Sequence, residues 1–334
     1  MPRPSAACLA ARESAALFVL SRSHIELTGK DRTTFLHNFC TNDIMSLKPG
    51  QSCEAFLCNV KGRVVGHVMV FVEPESLWLE SVAGAAPGLI AHLDRYLIRE
   101  DVQLHDRTAE VAELHLVGPQ ANNAFAGLLD GYERADEFRD GIYSLGACVS
   151  ARWVNAFTES SFRSRIVDWV GSDSYLLLGE PTLIAKLQAE ATADGVVRGT
   201  DADWQSLRIA TGFPQYGVDF TDENLPQEAA RTAKCINFTK GCYLGQEPIA
   251  RLDAMGHTNR ELRRLKIAQG ESPMTPVALV DPSSGQDAGT LTSAAMSPVD
   301  DGVVALGLIK TKWQTPGTVL HLANDAGSRT AVVQ

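Results

Sequence analysis

Several features that define common classes of protein are missing from this chain of 334 residues. No CxxC or HxxxH pair occurs, so no zinc or other metal site is indicated, and the odd number of cysteines, seven, does not suit a disulfide framework. A reducing, cytoplasmic setting fits this pattern. No run of about 18 apolar residues is present, so no transmembrane helix is expected. Arg12 and Glu13 interrupt the alanine-rich start, so a signal peptide is not expected either.

Positive charge is also scarce. The 40 acidic and 30 basic residues give a net charge of −10. Such a field repels a polyphosphate backbone, so binding of bulk nucleic acid is not expected. The short basic stretch of residues 260–266 is interpreted as the solvated face of a strand or helix, and a local nucleic-acid patch is the alternative. The length suits two or three packed units.

Two segments of the chain share one order of predicted elements. Each has a strand, a tight turn, a second strand and a helix that begins with proline, where the missing N–H is harmless. The first segment spans residues 67–97 and the second spans residues 164–191, and the string Pro-x-Leu-Ile-Ala-x-Leu recurs in their helices. The repeat predicts two similar α+β halves, each with helices on one face of an antiparallel sheet.

The pattern changes near residue 260. Helical periodicity ends there, and short apolar runs (276–280, 303–309 and 318–322) are separated by clusters of Pro, Gly, Ser and Asp. This spacing is typical of a small all-β unit, a barrel or a sandwich. We therefore predict that residues 1–260 contain the two α+β halves and that residues 261–334 form a separate β domain.

The most unusual stretch is Lys240-Gly-Cys-Tyr-Leu-Gly-Gln-Glu-Pro-Ile-Ala-Arg251. Its two glycines permit a tight turn that brings the backbone close to another surface. Pro248 is predicted to start a short helix that Gly256 ends. The residues singled out as one functional motif are Lys240, Gly241, Cys242, Tyr243, Gly245, Gln246, Glu247 and Arg251.

The chemistry of this motif centres on the thiol. Positive charge from Lys240 and Arg251 and a helix N-terminus would favour the thiolate of Cys242, while Gln246 and Glu247 add directional hydrogen-bonding groups. The spacing alone leaves a second interpretation open, namely a structural turn with a buried, inert cysteine.

The motif, Lys-Gly-Cys-Tyr-x-Gly-Gln-Glu with Arg251 four residues later, resembles the signature of the YgfZ family, whose mitochondrial relatives act in iron–sulfur protein maturation. Other stretches, beginning at Leu27, Leu207 and Gly289, resemble the wider glycine-cleavage T-protein superfamily, and together the resemblance covers nearly the whole chain. It implies a GcvT-like ring of three domains, with two ferredoxin-like α+β subdomains and a C-terminal β-barrel around a folate site.

The resemblance also implies a cofactor and partners. Tetrahydrofolate or another reduced folate is the expected cofactor, and iron–sulfur client or assembly proteins are the expected partners. Cys242 is expected to be exposed, to face the folate cleft or its rim, and to alkylate before the other cysteines. The residues assigned to folate binding are Asn59, Arg63, His67, Arg208, Tyr216 and Asp219.

Two positions depart from the aminomethyltransferase pattern of the T-protein. Its aspartate after an Asn-x-x-Gly turn is replaced by Gly66 and His67, and Ala210 replaces the glutamate expected to bind the pterin ring. A carboxylate at the first position would orient the cofactor and stabilise positive charge, which glycine does not do. His67 is interpreted as a base or, alternatively, as a structural residue on a strand. We therefore expect a YgfZ-like factor. The alternatives are an aminomethyltransferase or related one-carbon transferase, and a scaffold with neither activity.

Overall fold

The computed structural model describes residues 4–128, 132–134, 149–156, 161–171, 174–256, 258–268, 270–323 and 329–334. The helices are α1 (Ala6–Glu13), α2 (Arg32–Phe39), α3 (Ala86–Asp94), α4 (Ala121–Leu128), α5 (Pro181–Ala193), α6 (Asp201–Thr211), α7 (Thr232–Cys235) and α8 (Gln246–Met255). Within these ranges, no helix is long and apolar enough to cross a membrane.

Eighteen strands accompany the helices in the described ranges. Twelve belong to the first part of the chain: β1 (Ala16–Leu20), β2 (Arg22–Thr28), β3 (Gln51–Cys58), β4 (Val64–Val72), β5 (Leu77–Val82), β6 (Gln103–Asp106), β7 (Ala112–Val117), β8 (Tyr132–Arg134), β9 (Val149–Ala156), β10 (Ser161–Val167), β11 (Ser174–Gly179) and β12 (Val197–Arg198). Six follow: β13 (Arg260–Ile267), β14 (Val277–Val280), β15 (Asp287–Met296), β16 (Val303–Lys310), β17 (Val319–Leu322) and β18 (Thr330–Val333).

The first twelve strands form two half-sheets of related order. One runs β3-β4-β5-β2-β6, and the other runs β9-β10-β11-β7-β1-β12, with β8 added beside β9. Strands β3 and β9 pair through residues 51–52 and 149–150, which joins the two half-sheets. The segment 67–97 carries β4, β5 and α3, and the segment 164–191 carries β10, β11 and α5, in the order predicted from the repeat. The predicted α+β class is confirmed.

Apolar residues explain how the half-sheets pack. One buried cluster lies between them and includes Phe71 and Trp78 from the first half with Trp169 and Leu176 from the second. The outer face of the first half packs against α2 and α3, and that of the second packs against α4 and α5. Each half-sheet is therefore covered on both faces, by its own helices and by the other half.

The last six strands form a closed barrel in the order β13-β16-β15-β14-β17-β18. Its first strand begins at Arg260, the position where the sequence pattern changes. The basic side chains of β13 pair with acidic ones: Arg260 with Glu228, and Lys266 with Asp300. Both of these basic side chains are partly exposed as well as paired.

A buried ion pair attaches the barrel to α6. The Nη1 of Arg208 donates to Oδ2 of Asp219 at 2.8 Å, and the two side chains are 2% and 0% exposed. Barrel strand β15 contributes Ser293, which accepts from Arg208 at 3.1 Å and donates to Oδ1 of Asp219 at 2.6 Å. Thr292 also donates to Oδ1, at 2.8 Å. Because both charges are buried, removal of either leaves the other uncompensated.

We predict that Asp219→Asn and Arg208→Met each destabilise the protein by about 3–5 kcal/mol, the usual effect of breaking a buried pair. Urea unfolding of the full chain measures the change. Lys186→Ala is the matched control, because Lys186 forms an exposed pair with Glu190 on α5 and such pairs contribute about 0.3–0.5 kcal/mol. A loss below about 1 kcal/mol for Asp219→Asn would contradict the role of this pair.

Candidate functional site

Lys240 is the anchor of the cysteine motif. Its ammonium is buried and donates to three backbone carbonyls, one in the last turn of α2 and two just after it: His37 at 2.5 Å, Cys40 at 2.8 Å and Asn42 at 2.8 Å. Burial lowers the pKa of Lys240 from its ordinary value. That this lysine also favours the thiolate of Cys242 stays a prediction. The charge of Lys240 is directed into the backbone of the α2–β3 connection, where it fixes the position of the loop.

A second contact holds the other end of the loop. Gly245 has a φ of +79°, and a Cβ at this position would lie 2.4 Å from the carbonyl oxygen of Asn59 and 3.0 Å from Cα of Gly62. Gly62 has no room for a side chain either, because a Cβ at this position would lie 2.6 Å from Cγ of Pro248. The predicted close approach is thus confirmed at Gly245. The close approach does not occur at Gly241, where a Cβ would meet nothing within 4 Å.

Between these contacts the chain places Cys242 at the surface. Its neighbour Tyr243 is buried with Phe56 and Ile249, and the amide of Leu244 donates to the carbonyl of Asn38 at 2.9 Å. The thiol of Cys242 is exposed. The loop is therefore fixed on both sides of a solvent-accessible sulfur, and the interpretation as a buried, inert cysteine is wrong.

Helix α8 follows directly. It begins at Gln246 rather than at Pro248, so the predicted start is wrong by two residues, because Gly245 in the left-handed conformation already forms the N-cap. Gly256 ends the helix, as predicted. Glu247 lies in the first turn, where a carboxylate interacts favourably with the helix dipole. Arg251 is exposed one turn further on.

The other cysteines differ from Cys242 in their burial. Burial raises the pKa of Cys40, Cys58 and Cys235, which keeps these thiols protonated. Cys148 lies outside the described residues. The buried cysteines are Cys8, Cys40, Cys53, Cys58 and Cys235.

Two residues assigned to folate binding are structural in the turn between β3 and β4. The Oδ1 of Asn59 accepts from the amides of Lys61 at 2.9 Å and Arg63 at 3.1 Å, which closes the turn. The guanidinium of Arg63 donates to the carbonyl of Glu223. These bonds orient both side chains within the fold, and their contact with a folate stays a prediction.

The assignments near α6 also stay predictions, since these side chains already have partners within the fold. Arg208 and Asp219 are buried against each other and the barrel. The hydroxyl of Tyr216 lies 3.5 Å from the carbonyl of Val64, and its ring packs edge-on against Phe220. Tyr216 is half-buried and belongs to the packing beneath the motif.

His67, the remaining assignment, belongs to a buried polar cluster that the sequence did not reveal. Its Nε2 lies 2.6 Å from Oε1 of Glu54, and the guanidinium of Arg231 contacts both oxygens of the same carboxylate. Burial opposes ionisation of Glu54, but Arg231 and His67 hold the pKa of this carboxyl well below its ordinary range. The Sγ of Cys235 lies 3.8 Å from Nε2 of His67. Glu54 and His67 come from β3 and β4, whereas Arg231 and Cys235 are the N-cap and the last residue of α7.

A second buried cluster lies between the two half-sheets. Glu80 pairs with Arg22 at 2.8 Å and Arg165 at 2.5 Å. Nearby, the Nε2 of His24 lies 3.7 Å from Glu113. Burial and the charge of Glu80 raise the pKa of Glu113 to about 8, so this carboxyl is protonated at neutral pH.

The cavity beside this cluster has a volume of about 10 Å³, room for roughly one water molecule. Ligand pockets are usually about 300–1,000 Å³, so this cavity does not accommodate a folate. No residue of the cysteine motif lines it. That Cys242 faces a folate cleft therefore stays a prediction.

The fold defines the class of protein before any relative is considered, since two related α+β halves precede a closed barrel. Aminomethyltransferase T from Bartonella henselae has this fold, with a TM-score of 0.77 and 23% identity over 100% of this chain and 90% of that one. The family model "GCVT N-terminal domain" matches residues 4–239. The chain belongs to this family.

Relatives with different names are about equally similar. A putative chloroplastic transferase of Arabidopsis thaliana is 24% identical over 92% of this chain and 68% of its own length. The tRNA-modifying protein YgfZ of Yersinia enterocolitica is 23% identical over 91% of this chain and 86% of its own. The aminomethyltransferase of Halalkalibacterium halodurans is 26% identical over 94% and 84%. Overall identity does not separate these groups, so the site residues must.

We predict that Cys242 is the first cysteine to react with iodoacetamide at neutral pH, because alkylation needs solvent access to the sulfur. Peptide mapping by mass spectrometry at short times should find it modified at least about tenfold faster than the buried cysteines. Cys242→Ser, the matched control, should lose this fast reaction. Equal modification of a buried cysteine in the folded protein would contradict the prediction.

Proposed function

We propose that this protein is a tetrahydrofolate-binding, YgfZ-like accessory factor for the assembly or repair of iron–sulfur clusters, with Cys242 as its functional thiol. The observation that carries the proposal is the placement of Cys242. Its sulfur is exposed, while the loop that bears it is fixed by Lys240 on one side and by Gly245 on the other. A thiol on a fixed loop keeps its position during an encounter with another protein, since its surroundings are already ordered.

The alternative, an aminomethyltransferase, lacks its carboxylate here, and the packing around Gly66 leaves no room for one. A Cβ at Gly66 would lie 2.4 Å from Cδ2 of Leu89, which is itself buried on α3. An aspartate therefore does not fit without movement of the core. His67, the next residue, is bonded to Glu54 and does not replace the missing acid. These two positions favour the YgfZ-like function.

The folate part of the proposal is supported by the family alone. Relatives named YgfZ and aminomethyltransferase cover most of this chain. Ala210, in place of the glutamate that would bind a pterin, is half-buried at the end of α6. Loss of such a hydrogen-bonding partner weakens the discrimination of the pterin ring from other ligands by about 1–3 kcal/mol. The smaller alanine does not fill the space of the glutamate side chain. Binding of a folate without transfer chemistry is consistent with this change.

We predict saturable binding of tetrahydrofolate by calorimetry at high micromolar ligand, together with no transfer of an aminomethyl group from a loaded carrier protein. Gly66→Asp should not create activity, and it should destabilise the protein by about 1–3 kcal/mol through overpacking against Leu89. Gly88→Asp on α3, the helix that carries Leu89, is the control, because a Cβ at Gly88 meets open space. Methylenetetrahydrofolate formed above the uncatalysed rate, or no binding at all, would contradict this prediction.

The cellular role is tested by deleting the gene and measuring the activities of iron–sulfur enzymes. We predict that they fall and that Cys242→Ala does not restore them, although it changes stability by less than about 1.5 kcal/mol, as expected outside the packed core. Gly241→Ala is the matched control, since it alters the same exposed loop, meets open space and keeps the thiol. Full restoration by Cys242→Ala would overturn the proposed role of the thiol.

A further inference from the structure

Three potential metal ligands converge in the buried cluster beneath the motif. Glu54 on β3, His67 on β4 and Cys235 at the end of α7 each offer one ligand atom, and these atoms all lie within 4.8 Å of one another. The side chains are 6%, 8% and 0% exposed. Among the described residues, this is the one group of three or more such side chains close enough to share an ion.

The arrangement does not suit nucleophilic catalysis. A relay from acid to histidine to thiol uses a different ring nitrogen for each partner. Here the same atom, Nε2 of His67, approaches both Glu54 at 2.6 Å and Cys235 at 3.8 Å. An oxygen, a nitrogen and a sulfur that lie this close together are instead typical of three ligands to one metal ion.

We propose that Glu54, His67 and Cys235 form a binding site for a divalent transition-metal ion of the zinc class. A thiolate, an imidazole and a carboxylate together suit Zn²⁺, and bonds of about 2.0–2.3 Å place such ligand atoms roughly 3.3–3.8 Å apart. Cys235 already lies at that distance from His67. Three protein ligands leave a fourth coordination position, as in zinc sites that bind a water or another ligand.

Binding requires two local changes. The thiol of Cys235 releases its proton to solvent and becomes the thiolate ligand, and the ring of His67 carries its proton on Nδ1 so that the Nε2 lone pair faces the ion. The 2.6 Å separation between Nε2 and Oε1 then opens to that of two ligands on one metal.

Arg231 does not exclude this site. A carboxylate has about four lone-pair positions, and Arg231 uses one on each oxygen of Glu54. The second position on Oε1, which now faces His67, is the one that an ion would occupy. Arg231 therefore orients the carboxylate from outside, as partners of metal ligands commonly do.

Titration of the full chain with Co²⁺ under reducing conditions tests the proposal, because a thiolate bound to Co²⁺ gives an intense charge-transfer absorption. We expect one Co²⁺ per chain, with this absorption displaced by Zn²⁺. Cys242→Ala is the matched control and should bind as the unaltered protein does. Cys235→Ser should remove the charge-transfer absorption, and His67→Gln should weaken binding at least tenfold.

Circular dichroism shows whether each variant is folded. No thiolate absorption in the unaltered protein, its loss in Cys242→Ala, or its survival in folded Cys235→Ser would each overturn the proposal. If neither Cys235→Ser nor His67→Gln folds, the Cys242→Ala protein decides. A stoichiometric thiolate absorption there supports the site, and its absence overturns it.

Discussion

The position of the cysteine loop depends on how one buried ammonium is compensated. Transfer of an ammonium out of water without partners is very unfavourable, and Lys240 avoids this because it donates to three carbonyls, one in the last turn of α2 and two after it. That arrangement holds the residues that follow Lys240 beside the end of α2, where the amide of Leu244 donates to the carbonyl of Asn38. The contact of Gly245 with Gly62 is then possible, because both positions lack a side chain. The exposed sulfur of Cys242 is a result of buried contacts on either side of it.

The parts of the fold that were predictable depend on signals local to the sequence. The repeat was visible because each strand pair and its helix lie within about thirty residues, with proline at the helix start. The end of α8 was visible because Gly256 adopts a left-handed conformation that glycine favours. The need for a close approach at Gly245 was also visible. The residue that it contacts was not predictable, because Gly62 lies far away in the sequence and nothing near Gly245 indicates which surface packs against it.

The candidate folate contacts stay predictions for a different reason. A polar side chain looks the same in a sequence whether it binds a ligand or satisfies another buried group. Arg208 and Asp219 bond each other, and Asn59 bonds its own turn. For the same reason the cluster around Glu54 was missed, since its members lie on β3, on β4 and at α7, which only the tertiary structure brings together.

The separation of Lys240 from its acceptors also matters during protein synthesis. His37 precedes Lys240 by 203 residues. At ribosomal rates, the acceptor carbonyls are therefore synthesised roughly 10–40 s before the ammonium that they bind. A similar delay separates the synthesis of Cys58 from that of the residues that bury it, Phe220, Tyr243 and Ile249. A nascent chain that has not yet reached residue 249 therefore presents a thiol that the finished protein conceals. Oxidants or chaperones acting on the growing polypeptide meet a different set of reactive sulfurs from those acting on the mature one.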